Sequence, residues 1–167
     1  MTGRARERAT EATVHDELLS TLAEITETRL NRATDREGWT IRHALAAVAA
    51  SDRVLAHVLG SLAAESGAPG RFRFRRLRGE VMYEAHMLQR DALARLLQQT
   101  HAEAENALAD HAALLDHPIE AEGDGARSVG DLLADRAERE RAALGALRQA
   151  LPPGQAVRRT GGQARPA

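Results

Sequence analysis

Apolar residues recur at three- and four-residue intervals along most of the chain, and this helical spacing is the strongest constraint on its fold. It predicts four helical runs, over about residues 13–32, 41–65, 80–113 and 128–151. Aromatic residues make up only 2% of the 167 residues, which leaves little material for a β-sandwich. We therefore predict an all-α protein that folds as a four-helix bundle.

Short signals mark where these helices begin and end. Thr40 is the predicted N-cap of the second helix, and residues 66–70, which contain two glycines and a proline, end it. Ser128 and Asp131 have the spacing of a capping box at the start of the fourth helix. The third run is long, and we expect it to bend near residues 98–100.

The same patterns predict the domain organisation. We expect one bundle domain over residues 13–151, with a flexible N-terminus at 1–12. The C-terminal stretch 152–167 contains a single sizeable apolar residue, Val157, and is predicted to be disordered. Residues 117–125 combine a His-Pro pair with a glycine-rich stretch, which predicts a loop before the fourth helix.

Composition excludes several classes of function. The chain has no cysteine, which rules out disulfides, Cys-ligated zinc, iron–sulfur clusters and cysteine nucleophiles. A formal net charge of −1 gives no general attraction to nucleic acid or to an anionic membrane. The longest apolar stretch, residues 44–50, is too short to span a bilayer, and no leader is visible, so we expect a cytoplasmic protein without a membrane partner.

Polar residues interrupt the inward face of the fourth run. Between Leu133 and Leu144 the helix passes through residues 135–140, which are mostly charged. An unpaired buried charge costs several kcal/mol, so bundle helices usually keep such positions apolar. Either the apolar stripe rotates here and the charges are solvated, or a polar site lies inside the bundle, as in bundles that hold metals.

Three segments resemble the DinB/YfiT-like superfamily, which includes the mycothiol-dependent maleylpyruvate isomerase type. They are the Gly-Trp-Thr-Ile-Arg entry to the second helix within 38–52, the Arg-Phe-Arg-Phe segment 71–74, and the Ser-Val-Gly-Asp-Leu-Leu segment 128–133. The resemblance covers about residues 18–151. It implies a four-helix bundle, often dimeric, whose catalytic members bind a divalent metal such as zinc or nickel through three histidines.

The resemblance also implies where those metal ligands lie. One is eight residues after the tryptophan on the second helix, and two are four residues apart on the fourth, which places two imidazoles on one helical face. In this chain the positions hold Ala47, Asp135 and Arg139, and none is histidine. Asp135 alone could ligate a metal, so we expect no metal cofactor. Asp135 with Arg139, and Arg136 with Glu140, have the spacing of favourable ion pairs instead.

His43 and Trp39 are two further candidates for a ligand pocket. His43 lies one turn before Ala47 and could substitute as a metal ligand, but it also occupies the position where an acid would complete a capping box. We favour an exposed role there. Trp39 precedes the N-cap, and we interpret it as a hydrophobic anchor for the helix entry rather than a ligand-stacking residue. The remaining histidines are expected to be surface or boundary residues.

Residues 71–78 form a basic segment in which arginines alternate with Phe72 and Phe74. Arginine and aromatic residues together can bind phosphates and stack on bases. With a near-zero net charge and only two rings, we instead expect a loop whose phenylalanines pack on the bundle while its arginines pair with glutamates. Nucleic acid is therefore an unlikely partner. The chain has no Walker loop, no dinucleotide glycine motif and no Ser-His-Asp elbow.

These observations favour a DinB-like bundle that has lost its metal and binds a small molecule or a partner without catalysis. The resemblance also implies a homodimer. One alternative is a divalent-metal-dependent thiol transferase, isomerase or hydrolase with a rearranged site that uses His43 and Asp135. A second is a stress-related protein that associates with nucleic acid through residues 71–78.

Overall fold

The computed structural model describes residues 3–64, 71–121 and 125–152. Two short 3₁₀ turns and a small three-stranded sheet accompany the five helices of the described chain. The helices are α1 (Gly3–Glu24), α2 (Ile41–Ala64), α3 (Phe74–Met87), α4 (Arg90–Asp110) and α5 (Val129–Ala150). The strands are β1 (Arg71–Phe72), β2 (Pro118–Ala121) and β3 (Gly125–Ser128). The predicted all-α helical bundle is confirmed.

Helix α2 is the centre of the bundle, because it packs against α3, α4 and α5 while α1 closes the far side against α5 and α4. Its apolar residues are buried almost without interruption from Ile41 to Leu62. By length and composition it is long and apolar enough to cross a membrane, and 72% of its apolar 18-residue stretch is buried inside the protein. The central helix of a bundle meets the same criterion.

Helix α1 differs from the sequence prediction at both ends. It begins at Gly3 rather than near residue 13, and it ends at Glu24 rather than Arg32. A 3₁₀ turn over Glu27–Asn31 follows it and buries Leu30. In the structure, the first predicted run is one helix followed by one 3₁₀ turn. The sequence predicted a single helix because Leu30 keeps the helical spacing of the apolar residues across the break.

The third predicted run is two helices, and the break lies at Leu88 and Gln89 rather than at 98–100. The buried Arg42 donates to the carbonyl oxygen of Leu88, and Glu27 accepts the backbone N–H of Arg90 at 2.7 Å. These long-range contacts satisfy backbone groups that an uninterrupted helix would pair internally. Residues 98–100 are regular helix, so the predicted position was wrong.

The segment 117–125 was expected to be a loop, but its described residues form strands. β2 pairs antiparallel with β3 and parallel with β1. This small sheet covers one end of the bundle and buries Ile119 and Phe72. Residues 122–124 lie outside the described part of the chain, as do the predicted stop at 66–70, residues 1–2 and the predicted disordered stretch from 153 onward.

Helix α5 begins with the predicted capping box. The Asp131 N–H donates to Ser128 Oγ at 3.1 Å, and the Ser128 N–H donates to Asp131 Oδ2 at 2.7 Å. These hydrogen bonds hold the pKa of the Asp131 carboxyl below its ordinary value. The box fixes where α5 starts and therefore which of its residues face inward.

Two hydrophobic cores occupy the two ends of the bundle, and a polar layer separates them. One core packs the first half of α2 against α1 and the C-terminal half of α5. The other packs the second half of α2 against the C-terminal half of α4, the sheet and the start of α5. The polar layer is defined by six residues that lie between these cores: His15, Asp52, Thr100, His101, Arg136 and Glu140.

Candidate functional site

A cavity of about 330 Å³ lies between α2, α5 and the turn that precedes α2. Ala44 and Ala47 form its α2 wall, and small residues of α5, including Gly145 and Ala146, form much of the opposite wall. Small side chains on both facing helices leave this space open. Arg139 lies in the same wall, and the turn before α2 adds Asp35 and Arg36, so the cavity is apolar between its two helices and charged at the turn and at Arg139.

Arg139 is half-buried, and its Nε is a buried atom with no hydrogen-bond partner among the described residues. Burial lowers the pKa of its guanidinium, and the neighbouring charge of Arg78 lowers it further, while Asp135 acts in the opposite direction. The predicted Asp135–Arg139 ion pair is not formed. Asp135 instead accepts from Arg127 at 2.8 Å. The reason is that β3 places Arg127 beside the first turns of α5, an arrangement that no helical spacing reveals.

Trp39 and Arg36 close the mouth of the cavity. The guanidinium of Arg36 stacks on the Trp39 ring at 3.6 Å from its centroid. The turn that presents them needs Gly38, whose φ of +73° lies in the left-handed region. Trp39 thus lines the cavity, in addition to sitting at the helix entry as the sequence predicted.

His43 completes a capping interaction instead of binding in the cavity. Its Nδ1 accepts the N–H of Thr40 at 3.1 Å, while its own N–H donates to Thr40 Oγ1 at 3.4 Å. This is the reciprocal pattern of a capping box with histidine in the place of the acid. The lone pair of Nδ1 is therefore engaged, and Asp135 is held by Arg127. His43 and Asp135 do not form a rearranged metal site.

The three positions that the resemblance assigns to metal ligands do not fit a metal. Ala47 has no donor atom, and Arg139 is a permanent cation that repels one. Asp135 is half-buried and paired with Arg127. Ala47 and Arg139 nonetheless line the same cavity. The chain therefore has a cavity at the position that the resemblance assigns to the metal, although the metal ligands are absent.

The basic segment 71–78 packs as expected for its aromatic residues. Phe72 and Phe74 are buried and stack on each other with centroids 5.9 Å apart. Arg76 pairs with Glu80 at 2.9 Å across one turn of an exposed helix. The expected loop is wrong, however, because β1 and the first turn of α3 span this segment. The rings are not available to stack on bases.

The polar layer is the largest feature that the sequence left open. Arg136 and Glu140 are each only 2% exposed, so the interpretation of a polar site inside the bundle is confirmed for them. Arg136 does not pair with Glu140 as their spacing predicted. Its Nε donates to Asp52 at 2.5 Å and its Nη1 to Glu105 at 2.7 Å.

Glu140 contacts His15 from α1, with 2.6 Å between its Oε1 and His15 Nδ1. The His15 ring stacks on that of His101 from α4, with centroids 3.5 Å apart and an angle of 13°. The expectation that both histidines are surface or boundary residues is wrong for His15, which is only 4% exposed. The sequence placed His15 near a helix end, but it lies in the middle of α1, which begins at Gly3. In addition, the groups of the polar layer come from four helices and meet only when these helices pack together.

Burial and charge shift the pKa values within the layer. Burial raises the pKa of Asp52 to about 6, against the opposing attraction of Arg136. Burial, together with the nearby His15 and Arg136, lowers the pKa of His101 to about 4. Burial opposes the charge of Arg136, but Asp52 and Glu105 overcome it and raise its pKa. One sequence signal for this layer was available: Asp52 lies two residues after the apolar stretch 44–50 of α2.

The fold and the cavity define an all-α helical-bundle protein with a small, mostly apolar cavity between its second and last helices. A family model described as the DinB superfamily matches residues 12–134. The chain therefore belongs to the DinB superfamily.

Two solved structures share this fold, the mycothiol-dependent maleylpyruvate isomerase and a histidine-to-alanine mutant of it. Each is 20% identical in sequence, with a TM-score of 0.68 over 85% of this chain. The match spans 60% of the length of those chains, and at this identity the likeness establishes the fold alone. No curated protein matches the chain significantly.

Proposed function

We propose that this protein binds a small carboxylate with an apolar body in the cavity between α2 and α5, without a metal at that position. The observation that carries the proposal is Arg139. Arg139 lines the cavity, and its Nε is a buried donor with no acceptor among the described residues. An unsatisfied buried donor costs about 1–3 kcal/mol, so an anion that accepts from it gains that free energy on binding.

The charged residues that line the cavity are Asp35, Arg36 and Arg139, so cationic groups are in excess there and favour an anion. The charges of Arg36 and Arg78 both lower the pKa of Arg139, so three guanidinium groups act on the same region. Asp135, the acid that α5 places one turn before Arg139, is bound to Arg127. A carboxylate matches the planar geometry of a guanidinium, and this pairing is stronger than a neutral hydrogen bond.

The size and lining of the cavity set the rest of the ligand. A volume of about 330 Å³ is at the lower end for small-molecule pockets. Ala44, Ala47, Gly145 and Ala146 offer an apolar surface, and Trp39 offers the face of a ring at the mouth. The ligand is therefore an aliphatic or aromatic monocarboxylate and not a highly polar or polymeric molecule.

Calorimetry with benzoate and hexanoate as probes tests this proposal. Both are expected to bind, and the neutral benzamide is expected to bind at least tenfold more weakly because it lacks the charge that Arg139 recognises. The R139A substitution should weaken benzoate binding by at least about tenfold. The matched control R141A removes an exposed arginine two residues further along α5 and should leave binding unchanged.

Two results would overturn the proposal. One is equal binding of benzoate and benzamide, which would mean that charge plays no part. The other is equal loss in R139A and R141A, which would place the anion on the surface of α5. A substitution that fills the space, Ala47→Leu, supplies an independent check, because it should abolish binding while it leaves Arg139 in place.

A further inference from the structure

The polar layer contains a second, separate cluster with the composition of a metal site. His15 from α1, His101 from α4 and Glu140 from α5 each present one donor atom, and the three atoms lie within 4.8 Å of one another. These residues differ from Ala47, Asp135 and Arg139, the positions that the resemblance implies, and α5 is the one helix that both sets share. Two histidines with one carboxylate are a ligand set used by zinc and by non-haem iron.

The cluster leaves a buried donor position unused. His15 is only 4% exposed, and its Nδ1 is bound to Glu140. Its other nitrogen, Nε2, is buried and has no partner within the described part of the chain. A buried ring nitrogen without a partner is uncommon, and it shows that the hydrogen-bonding capacity of His15 is not fully used in this layer.

The charge balance of the layer permits a cation despite the presence of Arg136. The guanidinium is already neutralised by Asp52 and Glu105, which accept from its Nε and Nη1. Its Nη2 donates to His101 Nδ1 at 2.7 Å, which shows that this nitrogen presents a lone pair. A metal ion can replace that donor at His101 while Arg136 keeps its two carboxylates. Glu140 then remains as the anion of the site.

The geometry requires one modest movement. Zinc bonds of about 2.0–2.2 Å place tetrahedral ligands about 3.4 Å apart. His15 Nδ1 and Glu140 Oε1, which are 2.6 Å apart, must therefore separate slightly, whereas ligand atoms up to 4.8 Å apart must close by at most about 1.4 Å. The rings of His15 and His101 are nearly parallel and 3.5 Å apart, so their in-plane lone pairs cannot meet at one ion while the rings are stacked. His101 is half-buried, and a rotation of its ring out of the stack directs both lone pairs to one point and provides the route of entry.

We propose that His15, His101 and Glu140 form a binding site for one divalent transition metal ion, with zinc as the probe ion. Binding replaces the proton that His15 shares with Glu140, and this proton is released to solvent. The site lies in the middle of the bundle, so the ion joins α1, α4 and α5. The inference is independent of carboxylate binding in the cavity.

The test is a zinc titration of tag-free protein that has first been treated with chelator. One ion per chain is expected, with proton release measured from buffers of different ionisation enthalpy. The variants H15A and H101A should each weaken zinc binding by at least about 100-fold, because the loss of a direct ligand costs more than the roughly 10–100-fold effect of losing an outer-shell partner. The matched control H57A, an exposed histidine of α2, should bind as the wild type does.

Two measurements on the wild type guard against variants that fail to fold. Zinc should raise its melting temperature, because an ion that binds only the folded state stabilises it. Cobalt should give the visible absorption of a protein-ligated ion. Absence of binding to the wild type overturns the proposal, and so does unchanged affinity in folded H15A. Loss of zinc binding in R139A but not in H15A would place the ion in the cavity and would also contradict it.

Discussion

At the residue scale, two arginines on α5 have different roles: Arg136 belongs to a buried ionic network, and Arg139 is the residue that we propose binds a ligand. Arg136 is buried and fully paired, whereas Arg139, three residues later, is half-buried with an orphaned Nε. The sequence identified a polar interruption at 135–140 but assigned the pairs by helical spacing alone. Asp52, Glu105 and Arg127 come from other elements, and a local pattern carries no information about them.

Removal of the charge is expected to cost far more stability at Arg136 than at Arg139. R136M leaves Asp52 and Glu105 without their partner and should lower the free energy of unfolding by about 3–5 kcal/mol. R139M keeps most of the buried volume and removes a poorly solvated donor, so it should cost less than about 1 kcal/mol. Urea unfolding of both variants in the absence of ligand measures the difference. A larger loss for R139M than for R136M would contradict the assignment of the pairs.

The raised pKa of Asp52 predicts a pH dependence of stability with a definite sign. Its carboxyl has an ordinary pKa of 3.8 and a folded value of about 6, so the folded state binds its proton more tightly than the unfolded state. This stabilisation is complete below pH 3.8 and is lost as the pH rises through about 6. Wild type should therefore lose stability relative to D52N across this interval. Parallel unfolding profiles for the two proteins, or the opposite trend, would contradict the burial of an ionisable Asp52.

At the element scale, the bounds of α2 and α5 were predictable, whereas those of α1, α3 and α4 were not. The capping box of α5 and the N-cap position of α2 follow from residues that lie three apart in sequence. The break between α3 and α4 depends on Arg42, and the strands depend on pairing between segments that are far apart in sequence. Turns fixed by distant partners cannot be located from periodicity.

The capping box of α5 offers a prediction at this scale. Ser128→Ala and Asp131→Ala each remove one of two reciprocal hydrogen bonds and should each destabilise the fold by about 1 kcal/mol. Because the pair acts as one unit, the double substitution should cost less than the two single losses combined. Thermal unfolding of the wild type, the two single variants and the double variant measures this double-mutant cycle. Strict additivity would show that the two hydrogen bonds are independent.

At the scale of the whole molecule, the bundle is two hydrophobic cores divided by a charged layer. The family fold and an inward-facing polar site could be predicted from the sequence, because the motifs and the interruption of α5 are local. The composition of that layer could not, since it needs side chains from α1, α2, α4 and α5 together. The predicted homodimer is still a prediction, and sedimentation equilibrium distinguishes it from a monomer of 18.1 kDa.

The division of the core by the polar layer leads to a final prediction about whether the layer stabilises the fold or is retained to bind a ligand. Removing one partner from a buried ionic network strands the others, but replacing the whole network with aliphatic residues removes the desolvation cost and is often neutral or stabilising by about 1–4 kcal/mol. The combined variant carries H15L, D52V, H101L, R136M and E140M. It should join the two cores into one and be at least as stable as the wild type in urea at neutral pH with chelator present. The same variant should bind no zinc. The polar layer would then be needed for zinc binding but not for the stability of the fold. If it is instead less stable than R136M alone, the layer contributes to folding through its own pairing, and its charges are retained for stability and not for a ligand.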